Sequence, residues 1–364
     1  MKFPHGRFKT TWALFLLSPL LLCSAQAKAS LHPSCSPEMS TWYSTDIVVA
    51  TEGATIDGNL QVLEVLKGDM KVGAQVSLPE LAKFAPERAR MVVTWSAEER
   101  MKPPTYVTGS RLWLFLIKTP KDPGRWYSTS GADLNTSVVW IEPEKIYSFL
   151  QDRNPGPSLL TSLDMSEAQL KAQVSDIVRI QTGIAQAVSL PDLTQRAQAL
   201  GPLATSPYYP ATRLALDELA KCGEAAVPTL RALFSDNTVF TGHYQAADAL
   251  GKAGGQALGP ELTRLLETET RFWKQQGPQL RMGWWNGAGL ESEEVEPLRE
   301  RFSKVSHLLS GLKNTNDAGC TQAVTELRDF WVSLPQLNDP SGLDLVANQC
   351  NSLLGTLGTA KANG

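Results

Sequence analysis

The chain predicts an α+β protein of two domains, a small antiparallel β-barrel followed by an all-α repeat solenoid. Two observations carry this reading. From Asp46 to about Phe149, short runs rich in Val, Leu and aromatics alternate with clusters of Gly, Pro, Asp and Asn, the pattern of strands joined by tight turns. From Ser166 onward the apolar residues recur at helical spacing, and two stretches, Leu216 to Phe234 (LDELAKCGEAAVPTLRALF) and Ala247 to Leu266 (ADALGKAGGQALGPELTRLL), read as copies of each other. A pair of short amphipathic helices cannot bury its apolar faces alone, so repeated pairs stack on one another.

The first residues carry Lys2, Arg7 and Lys9 with no acid, and the run from Trp12 to Cys23 is almost wholly apolar. Such a span is too short for a bilayer, which needs roughly 20 residues. It ends in the small-residue pattern of a signal peptide, with Ala25-Gln26-Ala27 and Ala27-Lys28-Ala29 placing cleavage before Lys28 or Ser30. The expected organisation is a signal peptide over 1–29, the barrel over 30–151, a linker over 152–165, the helical domain over 166–358 and a disordered tail over 359–364. Removing the leader takes four basic residues and no acid from 34 Lys+Arg and 37 Asp+Glu, leaving a net charge of −7. That balance argues against nucleic acid as a partner, because phosphate binding needs a basic footprint. Export places the mature chain in the periplasm or outside the cell, with no transmembrane anchor.

Seven segments are expected as strands: DIVVAT, NLQVLEVLKG, AQVSLP, RMVVTW, RLWLFLIK, RWYST and SVVWI. Closing them into a barrel removes exposed edges. Pro143 then opens a stretch, EKIYSFLQD, expected to be helical and to plug one end. Pro155, Gly156 and Pro157 mark the linker. Ser166 and Gln169 have the spacing of a capping box, and Leu170, Val174, Ile177, Ile184 and Val188 follow on one helical face. Between the paired repeat helices, Gly223 and Gly254 are expected at the turn, where a left-handed backbone favours glycine. Leu219 matches Leu250, Lys221 matches Lys252, and Leu230 and Leu233 match Leu262 and Leu265 after one inserted residue. About three further helices are expected over Val295 to Leu312, Cys320 to Leu334 and Gly342 to Leu357.

The block Tyr208 to Leu266, with its L-x-x-L-x-K-x-G turn and alanine-rich first helices, resembles HEAT repeats. The strand run with VLKG at Val65 to Gly68 and GSRLWLFL at Gly109 to Leu116 resembles the OB-like barrel of the netrin and tissue-inhibitor-of-metalloproteinases superfamily. Inhibitory members of that superfamily chelate a protease zinc through an N-terminal cysteine. Here cleavage leaves Lys28 or Ser30 at the terminus, and Cys35 is the only cysteine of the domain, so the resemblance carries the fold and not that mechanism.

Four cysteines follow the leader: Cys35, Cys222, Cys320 and Cys350. An even count in an exported chain favours disulfides. Cys320 opens one expected helix and Cys350 lies within the next, so a Cys320–Cys350 bridge is expected, worth about 3–4 kcal/mol in the chain-entropy view. Cys222 occupies the position of Ala253 in the second copy and is expected to be small and buried.

No reaction is legible in these residues. After the leader only His32, His243 and His307 remain, no serine sits in a G-x-S-x-G elbow, and no glycine-rich phosphate loop is present. No cofactor or metal is expected. His32 and Cys35 make one H-x-x-C pair without the second that zinc requires. The acidic run Glu291, Glu293, Glu294 and Glu296 suits a helix start. The segment that invites a functional reading is the insertion Arg271 to Gly289, with Trp273, Trp284 and Trp285, because solenoid insertions build binding faces and tryptophan is frequent in interaction hot spots. Packing of these rings onto the helix ends is the alternative. The expected function is non-catalytic binding of another envelope or extracellular protein. A hydrolase with its site between the domains and a metalloprotease inhibitor are the other two readings.

Overall fold

A computed structural model describes residues 36–53, 58–79, 81, 109–119, 122–129, 137–142, 145–150, 159–163, 165–235, 243–276, 292–334 and 344–362. The chain divides into two compact units, Met1–Val178 and Arg179–Gly364.

In the first unit, helix α1 (Pro37–Tyr43) starts at Ser36, whose Oγ accepts from the Met39 N–H at 3.2 Å. Among the described residues it precedes eight strands: β1 (Asp46–Glu52), β2 (Asn59–Lys67), β3 (Gln75–Ser77), β4 (Arg111–Thr119), β5 (Asp122–Ser128), β6 (Val138–Ile141), β7 (Ile146–Leu150) and β8 (Leu159–Leu163). All pairings are antiparallel, in the order β3-β2-β1-β4-β6-β7-β8, with β5 also on β4. Strands β1 and β4 hold the centre, and both are apolar without alternation because both of their faces are covered. Val48, Ala50, Leu112, Leu114 and Leu116 enter one core. Ile47, Val49, Trp113 and Phe115 enter another, closed by Leu170 and Val174 of helix α2 (Glu167–Val188).

The capping box forms as expected: Ser166 N–H donates to Gln169 Oε1 at 2.7 Å and Gln169 N–H to Ser166 Oγ at 3.3 Å. Glu167 in the first turn of α2 pairs bidentately with Arg111 at 2.8 and 3.2 Å and accepts from Trp113 Nε1 at 3.3 Å, tying the helix start to β4. The VLKG segment ends in a constrained turn. Gly68 has φ +96°, and a Cβ there would run into the Asp46 carboxylate, which accepts the Asp69 N–H at 3.1 Å.

Two expectations in this unit change. Within the stretch EKIYSFLQD, Ile146–Leu150 is not helical but forms β7, paired on β6, with the Glu142 N–H donating to the Lys145 carbonyl where the two strands meet. Trp140 and Tyr147 then face each other across the strands at 5.2 Å between ring centres, a contact that outweighs local helix propensity. The expected linker contains β8, paired with β7 over Leu150↔Leu159 to Ile146↔Leu163, and the unit boundary falls later, within α2. The end strands β3 and β8 are not paired with each other among the described residues. RMVVTW lies outside the described residues.

The second unit is helical. Helix α3 (Leu193–Leu200) is capped by Asp192, whose carboxylate accepts the Gln195 N–H at 2.7 Å. Helices α4 (Tyr209–Lys221) and α5 (Val227–Ser235) form the first repeat, and α6 (Ala246–Gly254) and α7 (Gly259–Gln276) the second. A 3₁₀ turn joins each pair, Gly223–Ala226 and Gly255–Leu258. The left-handed residues are Gly223 (φ +59°) and Gly255 (φ +52°), so Gly254 is the inserted residue rather than the turn glycine. Helices α8 (Ser292–Thr315) and α9 (Thr321–Val332) repeat the arrangement a third time, with Asn316 (φ +53°) near the turn and the 3₁₀ segment Ala318–Cys320 between them. Helix α10 (Asp344–Ala362) packs on α8 and α9 through Val346, Cys350, Leu353 and Leu357.

Neighbouring units are tied in register. First helices pack in the order α4, α6, α8, and α7 packs on α9. Arg231 of α5 grips Glu261 of α7 bidentately at 2.6 and 3.0 Å, while Lys252 of α6 reaches back to Asp217 of α4 at 3.6 Å. Between α6 and α8 the backbones touch. A Cβ on Gly251 would strike the Gly311 carbonyl, and one on Gly311 would strike the Ala247 carbonyl.

Gly311→Ala is therefore expected to lower the stability by about 1–3 kcal/mol through overpacking. Gly355→Ala on α10, where an added Cβ would meet nothing within 4 Å, is expected to raise it by up to about 1 kcal/mol. Urea unfolding midpoints of both variants check this, and equal effects would contradict the close approach.

Candidate functional site

On the exposed side of the first helices, α4, α6 and α8 together line a groove of about 210 Å³. Residues Tyr209, Arg213, Leu216 and Asp217 supply one wall because they share a face of α4 at helical spacing. Gln245 enters from the 3₁₀ turn His243–Gln245, and Asp248, Ala249 and Lys252 from α6. His307 and Ser310, one turn apart on α8, complete it.

Asp248 is the anchor of the floor. Its Oδ1 accepts from Ser310 Oγ at 2.5 Å and Asn314 Nδ2 at 2.7 Å, and its Oδ2 pairs with Lys252 Nζ at 2.7 Å. Burial alone would raise its pKa, but the bonds from Lys252, Ser310 and Asn314 together with the lysine charge outweigh burial and hold the carboxyl below its ordinary value. The reciprocal bond to Asp248 raises Lys252. Both groups are charged at neutral pH, and neither is poised to exchange a proton. His307 behaves oppositely: burial lowers its pKa, partly offset by the Asp248 charge, which favours neutral imidazole.

To a bound group this arrangement offers hydrogen-bond donors and one guanidinium. Ser310 donates to a carboxylate and not to a histidine, so it lacks the base that would activate it as a nucleophile. Asp248 already accepts from Ser310, Asn314 and Lys252. Tyr209, Arg213, Gln245 and His307 make no hydrogen bond or ion pair among the described residues, and Tyr209 is 54% exposed. No group of three or more His, Cys, Asp or Glu side chains that could hold a metal is present among the described residues, and no helix described is long and apolar enough to cross a membrane.

Elsewhere the structure assigns packing roles. Trp273, expected at a binding surface, is fully buried on α7. The expected insertion begins as the last turns of that helix. Its ring meets Trp331 at 5.3 Å and Phe272 at 5.4 Å, and Trp331 in turn meets Phe302 and Phe330. Trp284 and Trp285 lie outside the described residues, as do Cys35 and His32. Beside this aromatic cluster the buried carboxylate of Glu269 is held by Arg301 at 3.3 Å and Lys304 at 3.0 Å, with the Arg301 guanidinium 3.7 Å over Phe272.

Cys320 and Cys350 are both fully buried, on the packed pair α9 and α10 and the turn before it, but they are free thiols, not the expected bridge. Burial pushes Cys320 up to about 11, assisted by Asp317, and Cys350 up to about 12 against the pull of Arg328. Cys222 is buried as expected.

No protein family, no curated protein and no solved structure matches the chain. The sequence gives little sign of the groove, since Asp248 and its partners Ser310 and Asn314 are 62 and 66 positions apart. The available signal was the helical spacing of Tyr209, Arg213 and Asp217, three polar or aromatic residues on one face of a helix whose other face is apolar.

Two outcomes follow. Because the folded-state pKa of His307 is lowered, its contribution to stability is full above the unfolded value of about 6.5 and is lost as pH falls through the folded value. The melting temperature should decline between about pH 7 and pH 5, and the decline should shrink in His307→Gln. In a Cys35→Ser variant lacking residues 1–29, a disulfide-exchanging thiol reagent should find no reactive thiol in the native protein and three, Cys222, Cys320 and Cys350, in denaturant. Only one in denaturant would mean that two of the buried thiols are bridged.

Proposed function

We propose that the protein is an exported, non-catalytic binding module, an OB-like barrel domain followed by a HEAT-like helical array, which holds another envelope or extracellular protein in the groove of α4, α6 and α8. The observation that carries this reading is the convergence of three successive first helices on one open groove whose rim donors have no partners among the described residues. Stacked helical hairpins present such grooves as extended binding faces. A rigid floor supports the rim, since Asp248 locks α6 to α8 and Lys252 joins α6 to α4. Preorganisation of this kind lowers the ordering cost of binding. The catalytic alternative gains nothing from the same residues, because the serine proton is already committed to Asp248.

A photo-crosslinking amino acid at position 209, expressed in the native cell, is expected to give a discrete adduct. The same substitution at Val332, 62% exposed on α9, is expected to give none. Absence of an adduct from position 209, or an identical pattern from both positions, would remove the groove as the docking surface.

A further inference from the structure

We infer that the groove recognises a carboxylate, supplied by an acidic side chain of a partner polypeptide, with Arg213 as the primary contact and Tyr209, Gln245 and His307 as supporting donors. This rests on the reading of the groove as the docking surface.

The donor balance points to an anion. Arg213 carries up to five N–H donors in a planar fork, and it forms no ion pair or hydrogen bond among the described residues, although Asp217 lies one turn along the same face of α4. Asp217 faces Lys252 at 3.6 Å instead, and Asp248 is held by Ser310, Asn314 and Lys252. A guanidinium and a carboxylate match in shape as well as charge, through two parallel N–H···O bonds. Tyr209, Gln245 and neutral His307 each add an N–H or O–H on the same groove.

Charge counting favours a monoanion. Arg213 and Lys252 balance Asp217 and Asp248, and His307 is neutral, so the empty groove carries no net charge. A carboxylate leaves one negative charge in place, whereas a phosphate dianion would leave two beside the fixed carboxylates of the floor. Size favours a side chain over a free metabolite. At about 210 Å³, the groove is smaller than the roughly 300–1,000 Å³ usual for sites that enclose a whole small ligand.

The test is an NMR titration of the isotopically labelled mature protein with an acetylated, amidated hexaglutamate peptide, and in parallel with the hexaglutamine peptide and with inorganic phosphate. Expected are joint shifts of the Arg213 Nε, Gln245 side-chain amide and His307 ring signals with hexaglutamate alone, weakened about tenfold or more in Arg213→Gln, as suits loss of a charge-assisted contact. Because Arg213 has no partner among the described residues, that variant should keep the native melting temperature. Tyr209→Phe provides a second, milder variant with a smaller loss. Equal shifts with hexaglutamine, shifts with phosphate but not hexaglutamate, undiminished binding by Arg213→Gln, or no shift at all would each overturn the carboxylate assignment. Any of these beside a crosslinked adduct from position 209 would leave the docking surface standing, while shifts with hexaglutamate but no adduct would remove the docking reading alone.

Discussion

The contact between Gly251 and Gly311 governs much of the helical unit. With no side chain on either residue, the backbones of α6 and α8 approach until any Cβ would collide with a carbonyl. That spacing brings Ser310, next to Gly311, within hydrogen-bond reach of Asp248, one turn before Gly251. Asn314, a turn further along α8, reaches the same oxygen. A wider helix pair would leave the Asp248 carboxylate half-buried with only Lys252 for company, and an incompletely satisfied buried charge is costly. Packing and polar order are thus one event here, and the floor of the groove is its product.

The two units solve burial differently. In the sheet unit, two central strands bury side chains on both faces and a single helix, α2, seals one of them, with Glu167 fastened to Arg111 and Trp113. In the helical unit no helix is central to all others. Each hairpin leans on the next, and the ion pairs between α5 and α7 and between α4 and α6 fix the register in which they lean. Such exposed pairs contribute little energy individually, so their role is to choose one alignment among similar apolar stackings.

What could be read in the sequence were the features with a local cause. The unbroken apolar runs IVVA and LWLFLI, the capping box at Ser166 and the two repeat copies each specify structure within a few residues of themselves, and each stands where expected. Strand β7 was missed because its cause is a cross-strand aromatic pair, and β8 because its partner makes it a strand in a segment rich in Pro and Gly. The turn glycine shifted from Gly254 to Gly255 because an insertion can be absorbed on either side of a turn, and only the backbone angle decides. Trp273 illustrates the same limit: its place depends on Trp331, far along the chain. The groove residues belong to three helices and share no motif.

In the repeat array, equivalent positions look forward. Asp217 in the first copy meets Lys252 of the second, and its counterpart Asp248 meets Ser310 and Asn314 of the third unit. A series of this kind has no natural end, because every unit presents to its successor the face that it received from its predecessor. Helix α10 packs on the third hairpin. It buries one stripe against α8 and α9 and turns Asn351, Ser352 and Thr356 to water. Head-to-tail surfaces left open propagate into filaments, and α10 covers part of the third hairpin with a helix whose outer side is polar.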